Sequence, residues 1–304
     1  MIAEAERAQS LPRETEESVI SKIRLDRILL YIVVAVGSFI FMFPFLWALV
    51  SSGKTAHEIA TYPPTWWPRD PQFVENYNQI FTDAPFFLWI WNSTRITVLN
   101  VLGTVVSASV VAYSFARFKY PGRDILFFVM LSTMMIPNEV RLIPTYLLFH
   151  KLGWVNTIKP LVVPAWFGGG AFNIFLLRQF YMGIPLDLDE AAEIDGAGPL
   201  RIFLTVMLPL SKPALGTVAA LRFISSWRNF MGPLIYLSDP DKMTAVLGLR
   251  YFAQGTTSAQ LSAGPPKDHL LMAASIVVAA PCLILFFVAQ RYFVQGIATT
   301  GIKG

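Results

Sequence analysis

Charged residues are scarce in this chain, at 14% of its 304 residues, whereas hydrophobic residues make up 54%. An ordinary soluble domain carries about 25% charged residues. A soluble fold of this length would not bury so much apolar surface, so the composition excludes a soluble enzyme and a disordered chain. The 24 Lys and Arg exceed the 20 Asp and Glu by only four. This small excess argues against a nucleic-acid-binding protein, which needs a strongly basic face.

Cysteine and histidine are also rare. The single cysteine, Cys282, excludes an internal disulfide and a cysteine-based zinc site. The three histidines are scattered without helical pairing, so we predict no metal site. Gly53-Lys54-Thr55 matches only the end of a phosphate-binding loop, because Ala48 occupies the position of the first glycine and no strand precedes it. We therefore predict that this chain binds no cofactor and does not hydrolyse ATP itself.

Long uncharged runs predict helices that span a membrane. A bilayer core about 30 Å thick requires about 20 apolar residues in a helix. Four uncharged runs are long enough, at residues 28–50, 96–116, 160–177 and 270–290. Two further spans, interrupted by charged residues, are predicted at residues 125–150 and 214–237. The sequence thus predicts an all-α membrane protein with six transmembrane helices and both termini on one side.

Lysine and arginine are concentrated in segments that a six-span topology places on one side of the membrane. Residues 1–27 contain five of them and the short loop 117–124 contains three, whereas the long loops 51–91 and 238–269 hold five between them. Short cytoplasmic loops are enriched in basic residues. We therefore expect both termini in the cytoplasm and the loop 238–269 outside.

One cytoplasmic loop, between the fourth and fifth spans, has a pattern of its own. Residues 184–199 contain five acids and no basic residue. Asp187 and Glu190 have the spacing of a capping box at a helix start. Gly196 suits a left-handed helix end, and Pro199 suits the first position of a second helix. The pattern predicts two short helices around a glycine elbow, and on the residues alone it is compatible with a solvated loop or with a protein-docking surface.

Small and acidic side chains make this loop a candidate docking surface. Ala191 and Ala192 leave one face of the first helix thin, so that a partner protein can approach closely. Glu190 and Asp195 can form charge-assisted hydrogen bonds to an arginine or to backbone amides of a partner.

The same loop resembles a known motif. Glu190-Ala191-Ala192, then Gly196, then Val206 and Leu208-Pro209 follow the EAA motif of ATP-binding-cassette importer permeases, with Val206 where isoleucine is usual. Three further segments resemble the MalG-like branch of carbohydrate importers: residues 136–144, 175–180 and 290–296. The resemblance covers nearly the whole chain after about residue 25.

The resemblance implies a type I ABC importer permease fold, with a cytoplasmic coupling helix between helices four and five that docks in a groove of an ATPase subunit. The implied docking residues are Glu190, Ala191, Ala192, Asp195, Gly196 and Ala197. The implied partners are a second, homologous MalF-like permease, two ATPase subunits that bind ATP and Mg, and an external solute-binding protein. The implied activity is import of a sugar, oligosaccharide or related polyol compound across a bacterial or archaeal cytoplasmic (inner) membrane. On the residues alone, a secondary transporter or a channel for a small solute is the alternative.

The resemblance also divides the chain into four parts. These are a cytoplasmic N-terminal segment (1–27), the first helix with its external loop (28–91), a permease core with five helices and the coupling helix (92–295), and a cytoplasmic tail (296–304). The tail contains three glycines and little to bury. On the residues alone, the tail is compatible with a frayed terminus or with an extended chain in a narrow crevice. Its resemblance to the tails of MalG-like permeases implies an extended chain that reaches the interface of the ATPase pair.

Charged residues within the predicted spans are candidates for the translocation path. A charge inside a bilayer is costly unless it is paired or hydrated. Glu139 and Arg141 lie in the third span between two prolines, where an ion pair between them and a lining of the path would account for them equally well. Trp227, Arg228 and Asn229 lie near the middle of the fifth span and favour a lining of the path.

Overall fold

Helices make up nearly all of the fold. The computed structural model describes the backbone of residues 16–253 and 267–301 and the side chains of residues 27–253 and 267–290. The α-helices are α1 (Glu16–Ser51), α2 (Ala56–Ile59), α3 (Phe73–Thr82), α4 (Phe86–Arg117), α5 (Arg123–Ser132), α6 (Asn138–Lys151), α7 (Lys159–Val162), α8 (Ala171–Met182), α9 (Asp187–Ile194), α10 (Pro199–Ile202), α11 (Leu208–Leu210), α12 (Lys212–Trp227), α13 (Met231–Tyr236), α14 (Ala245–Ala253) and α15 (Asp268–Gly301). Short 3₁₀ helices cover Thr133–Met135, Val163–Trp166 and Pro240–Lys242, and a π-helical segment covers Phe203–Met207. No strand occurs among the described residues, in agreement with the predicted all-α class.

The predicted apolar segments are present, but not all of them are straight spans. Four described segments are long and apolar enough to cross a membrane: Arg27–Ser51, Phe86–Arg117, Lys159–Met182 and Asp268–Gln290. They match the four uncharged runs of the sequence. Two bent pairs of helices meet the same test only together: Arg123–Met135 with Asn138–Lys151, and Pro199–Leu210 with Lys212–Trp227. The described chain therefore has four such segments, or up to six if each bent pair is one span.

The predicted third span, residues 125–150, is not a continuous helix. Its two halves meet at an angle of 101° across Ile136 and Pro137. Pro137 has no backbone N–H and its ψ of 144° is extended, so the helical hydrogen-bond ladder ends there. Glu139 therefore lies in the first turn of α6 and not within one continuous helix over residues 125–150.

The fourth span is interrupted by three glycines. Gly168, Gly169 and Gly170 have φ angles of 86°, 66° and 93°, which no α-helix contains. The first half of the span therefore ends before them, and α8 begins after them. A break of this kind frees backbone carbonyl groups, which must find other donors inside a membrane.

The second span, α4, supplies those donors. The Asn100 Nδ2 donates to the Leu161 carbonyl at 2.9 Å, and the Ser107 Oγ donates to the Ala165 carbonyl at 3.0 Å. Gly103 brings the backbone of α4 against the ring of Trp166, because a Cβ at this position would lie 2.7 Å from the ring. The break in the fourth span is thus stabilised by close packing and hydrogen bonds from α4.

The fifth span is divided as well. The chain bends by 77° at Ser211. The bend separates residues Pro199–Leu210, which begin with α10, from α12. α12 ends at Trp227, and α13 begins at Met231 after a break. The predicted span 214–237 is therefore two helices rather than one.

Two buried clusters lie at the two ends of α4. The first joins α4 to α8 and to the π-helical segment, and it contains Tyr113, Tyr181 and Met207. The second joins α4 to α3, α14 and α15, and it contains Phe86 and Phe252. The loop between the fourth and fifth spans packs on the first cluster, and the loop that follows the fifth span packs on the second.

The C-terminal helix is longer than expected. α15 runs from Asp268 to Gly301. The expected extended tail is therefore wrong for residues 296–301, which continue the helix. Residues 302–304, the N-terminal residues 1–15 and residues 254–266 of the external loop lie outside the described residues.

Candidate functional site

The loop between α8 and α10, the coupling segment (residues 184–199), is a short helix followed by a tight turn. The Ala197 N–H donates to the Ala192 carbonyl at 2.9 Å. The Gly196 N–H donates to the Glu193 carbonyl, also at 2.9 Å. This pair of hydrogen bonds is a Schellman motif, and Gly196 has the left-handed φ of 79° that the motif needs. With Pro199 as the first residue of α10, the predicted glycine elbow between two helices is confirmed.

The predicted capping box at the start of α9 does not form. The residue before the helix is Leu186, which has no polar side chain, and Asp187 is already the first helical residue. The Glu190 N–H donates to the Leu186 carbonyl at 3.1 Å. The acids of the first turn still lie at the positive end of the helix dipole, which favours them.

The six predicted docking residues divide into an exposed set and an anchoring set. The exposed residues are Glu190, Ala191, Asp195 and Gly196. Ala192 and Ala197 are half-buried and pack against the cluster around Tyr113. The exposed set is therefore accessible to a partner, whereas the two alanines attach the segment to the rest of the chain.

Large apolar side chains surround the exposed acids. Five of them project from the coupling segment and the residues after it: Leu186, Leu188, Ile194, Leu200 and Leu204. Ile194 is 86% exposed. Leu200 and Leu204 also line a shallow, largely apolar cavity of about 460 Å³. An exposed apolar patch is typical of a protein interface, and sequence reasoning missed it, although leucine alternates with acid at residues 186–189.

A buried ion pair holds the coupling segment to α4. The Arg117 Nε lies 2.6 Å from the Asp189 Oδ2, and the two side chains are only 7% and 13% exposed. Arg117 also donates to the Ile184 carbonyl at 2.9 Å. The Tyr113 hydroxyl donates to the Pro199 carbonyl at 3.3 Å. Sequence reasoning used Arg117 only as a marker of orientation and Asp189 only as one of five acids, and no sequence pattern links the two.

The third-span candidates for the translocation path are not paired. Glu139 and Arg141 are both exposed, and Arg141 donates to the Asn138 side chain. Within the described residues, no ion pair joins Glu139 to Arg141. A structural tie between them therefore has no support, and a lining of the path stays a proposal.

The fifth-span candidates separate in the structure. Trp227 is buried and its Nε1 donates to the Val278 carbonyl at 2.9 Å, so this side chain packs α12 against α15. Arg228 and Asn229 are exposed at the break between α12 and α13. The Asn229 side chain accepts a hydrogen bond from the Gly232 N–H at 3.0 Å, which caps α13. Of these three residues, only Arg228 and Asn229 are exposed, and their role in a translocation path stays a proposal.

Another charge within the spans, Arg222 of α12, is bound inside the subunit. Its guanidinium donates to the Asn100 Oδ1 at 2.6 Å. The same Asn100 donates to the Leu161 carbonyl and to the Ser226 hydroxyl. The network joins α4, α7 and α12, and it accounts for a charge at this depth by hydrogen bonding.

Metal-ligating side chains do not cluster in residues 27–253 and 267–290, where no three His, Cys, Asp or Glu are placed to hold an ion. For the chain as a whole, the absence of a metal site stays a prediction.

The chain matches a family of membrane transport components. The family model described as the inner membrane component of binding-protein-dependent transport systems matches residues 105–299. The arabinooligosaccharide transport system permease protein AraQ of Halalkalibacterium halodurans is 33% identical over 270 residues, which cover 88% of this chain and 93% of AraQ. The sn-glycerol-3-phosphate transport system permease protein UgpE of Brucella melitensis is 30% identical over 277 residues, which cover 89% of this chain and 95% of UgpE.

The fold is also similar to solved structures. A chain of a bacterial ABC transporter involved in the import of the acidic polysaccharide alginate aligns with a TM-score of 0.77 and 22% identity, over 93% of this chain and 100% of that chain. The ABC importer permease fold is therefore confirmed. The relatives are permease subunits, which confirms a transport subunit rather than an enzyme and leaves the secondary transporter or channel without support. The chain belongs to the family of inner membrane components of binding-protein-dependent transport systems.

Proposed function

We propose that this chain forms one half of the translocation path of an ATP-driven importer for a sugar, an oligosaccharide or a related polyol compound. The coupling segment carries the proposal, because it presents exposed acids and leucines on one side and is fixed to the membrane helices on the other. Relatives named for arabinooligosaccharide and sn-glycerol-3-phosphate transport support the solute class.

The remaining subunits follow from this proposal. We expect a second, homologous MalF-like permease, two ATP-binding-cassette ATPase subunits and an external solute-binding protein around this chain. ATP and Mg would bind to the ATPase subunits. The coupling segment and both termini would face the cytoplasm, since the basic residues of the first segment and of the loop 117–124 favour that side.

Docking on an ATPase subunit would use two kinds of contact. Ile194 and Leu200, the most exposed large apolar residues of the coupling segment and α10, would bury apolar area. Glu190 and Asp195 would accept charge-assisted hydrogen bonds from basic groups or backbone amides. Apolar area provides affinity, and the acids fix the register of α9 in the groove.

The transport cycle would be mechanical on this side of the complex. ATP binding closes the pair of ATPase subunits, and a docked coupling segment moves with its subunit. Arg117 and Tyr113 attach the coupling segment to α4. The membrane-spanning helices would therefore move with the coupling segment and alternate between inward-facing and outward-facing arrangements.

Purification of the whole complex tests the proposal. We would co-express this chain with the partner genes encoded beside it and measure ATP hydrolysis in lipid nanodiscs. The added solutes would be an arabinooligosaccharide, maltose and sn-glycerol-3-phosphate, with glutamine as the control outside the class. Stimulation by one of the first three supports the proposal. Stimulation by glutamine alone would contradict the solute class, and a complex without bound ATPase subunits would contradict the importer.

A further inference from the structure

The second span, α4, differs from the other spans in its continuity. It is a helix of 32 residues without proline. α1 contains Pro44, α15 contains Pro281, and the remaining spans are broken or bent. At 1.5 Å per residue, α4 is about 48 Å long, which is enough to cross a membrane and reach both surfaces.

One end of α4 is attached to the coupling segment at several points. Arg117 contacts both Asp189, within α9, and the Ile184 carbonyl at the start of the segment. Tyr113, one helical turn earlier, contacts the Pro199 carbonyl at its end. Along the chain, α9 is linked to α8 and α10 through residues 183–186 and 195–198, which are not helical. The side chains of α4 therefore brace the segment at both of its ends.

The other end of α4 is attached to the loop that follows the fifth span. The Trp89 Nε1 donates to the Pro240 carbonyl at 2.8 Å. The Asn92 Nδ2 donates to the carbonyl groups of Asp241 and Met243, at 2.8 and 3.0 Å. These carbonyls belong to the external segment (residues 240–243), which the predicted topology places outside.

We infer that α4 is a rigid element that transmits movement between the coupling segment and the external segment, with Arg117 as the positioning residue at one end and Asn92 at the other. The inference rests on the proposed function, because the coupling segment is displaced only if it docks on an ATPase. An unbroken helix fixed at both ends moves as a rigid body, whereas spans with a break can bend at the break. Arginine suits position 117 because its planar guanidinium group contacts the Asp189 carboxylate and the Ile184 carbonyl together. Lysine has no such planar group and would make the two contacts less well.

The test measures whether ATP on one side changes the external side. Ser238 is exposed and lies two residues before the external segment. In the assembled complex with Cys282→Ala, Ser238→Cys would be labelled with a membrane-impermeant maleimide, with and without ATP, Mg and vanadate. Trapping should change the labelling rate by about five-fold or more. Arg117→Met and Asn92→Leu should each reduce that change to about two-fold or less.

Matched control variants separate transmission from a general disturbance. Arg123→Met removes an arginine near Arg117 whose partner, Asp124, is 78% exposed and lies outside the coupling segment. Gln79→Leu removes an amide whose hydrogen bond, among the described residues, goes to the nearby Asp83, at 3.2 Å. Both controls should keep the full response to ATP.

Two further variants keep the inference testable if Arg117→Met does not assemble. Asp189→Asn removes the charge of the partner without changing its size. The exchange of Arg117→Asp with Asp189→Arg should restore the response at least in part. The readout is the response per assembled complex, which a merely structural role of Arg117 would leave unchanged.

The outcomes are distinct. A full ATP response in Arg117→Met and Asn92→Leu complexes that retain their ATPase subunits would overturn the inference. The inference would also be overturned if ATP did not change the labelling rate of the complex that carries only Cys282→Ala and Ser238→Cys. The double variant should lose no more than the stronger single variant, because both act on one element; additive losses would also overturn it. An unmodified complex that never binds ATPase subunits would instead overturn the proposed function.

Discussion

Gly169→Ala should destabilise this protein more than Gly168→Ala, although the two glycines are adjacent and both have positive φ. At Gly169 a new Cβ would lie 2.7 Å from the Thr104 carbonyl oxygen and 2.9 Å from the Ala108 Cβ. At Gly168 the nearest atom to a new Cβ is the Ile174 Cδ1, at 3.8 Å. The first substitution therefore meets the backbone of α4, and the second meets ordinary van der Waals contact.

The two costs can be separated by mechanism. An alanine in the left-handed region costs about 1–2 kcal/mol at either position. Forcing an extra carbon into a closely packed contact adds about 1–3 kcal/mol, and this applies only to residue 169. We expect a loss of about 1–2 kcal/mol for Gly168→Ala and of about 2–5 kcal/mol for Gly169→Ala.

The single cysteine supplies the assay. Cys282 is partly buried in α15, so a dye that fluoresces on reaction with thiols reports unfolding during heating in detergent. At about 2–4 °C per kcal/mol, Gly169→Ala should lower the unfolding midpoint by several degrees more than Gly168→Ala. Equal shifts of the unfolding midpoint for the two variants would refute the reasoning, because they would mean that α4 is not closely packed against Gly169.

Four further predictions concern the coupling segment, the topology and the tail. Glu190→Lys should release the ATPase subunits without unfolding the helices, because it places a cation where a basic groove is expected; normal uptake with the ATPase bound would contradict this. Gly196→Val should uncouple ATP hydrolysis from uptake, since a β-branched residue at a φ of 79° costs about 1–3 kcal/mol. Gly198→Val, at a φ of −75°, is the control, and an equal effect of both would show that the elbow is irrelevant. Ser238→Cys in a cysteine-free background should react with an impermeant maleimide from outside intact cells, and reaction only from the cytoplasm would reverse the topology. Deletion of residues 297–304 should lower the ATP hydrolysis that the solute-loaded binding protein stimulates, and unchanged hydrolysis with unchanged uptake would leave the tail without a role.

The spans show where sequence reasoning succeeded and where it failed. Residues 96–116 were predicted as a span, and α4 includes all of them. Residues 125–150 were predicted as one helix, but Pro137 ends the first half and the second half leaves at 101°. A proline can kink a membrane helix or break it, and the outcome depends on which neighbours satisfy the freed backbone groups. Those neighbours are not adjacent in sequence.

The coupling segment shows the same division at the level of single residues. The left-handed conformation of Gly196 was predictable, since it follows from a backbone preference that glycine has by itself. The predicted capping box was wrong, because Leu186 rather than Asp187 precedes the first turn of α9. The ion pair of Arg117 with Asp189 was also missed, since it joins α4 to α9 across the fold.

Composition and local pattern were therefore enough for the all-α membrane class, the apolar segments, the glycine elbow and the family of the coupling segment. These features are predictable because transfer into lipid and backbone preference are properties of a segment alone. The breaks in the spans, the attachment of α4 to both the coupling and the external segments, and the burial of Trp227 depended on the tertiary structure. Each of these arises from hydrogen bonds, ion pairs or packing between residues far apart in the chain, and such contacts exist only once the helices have come together.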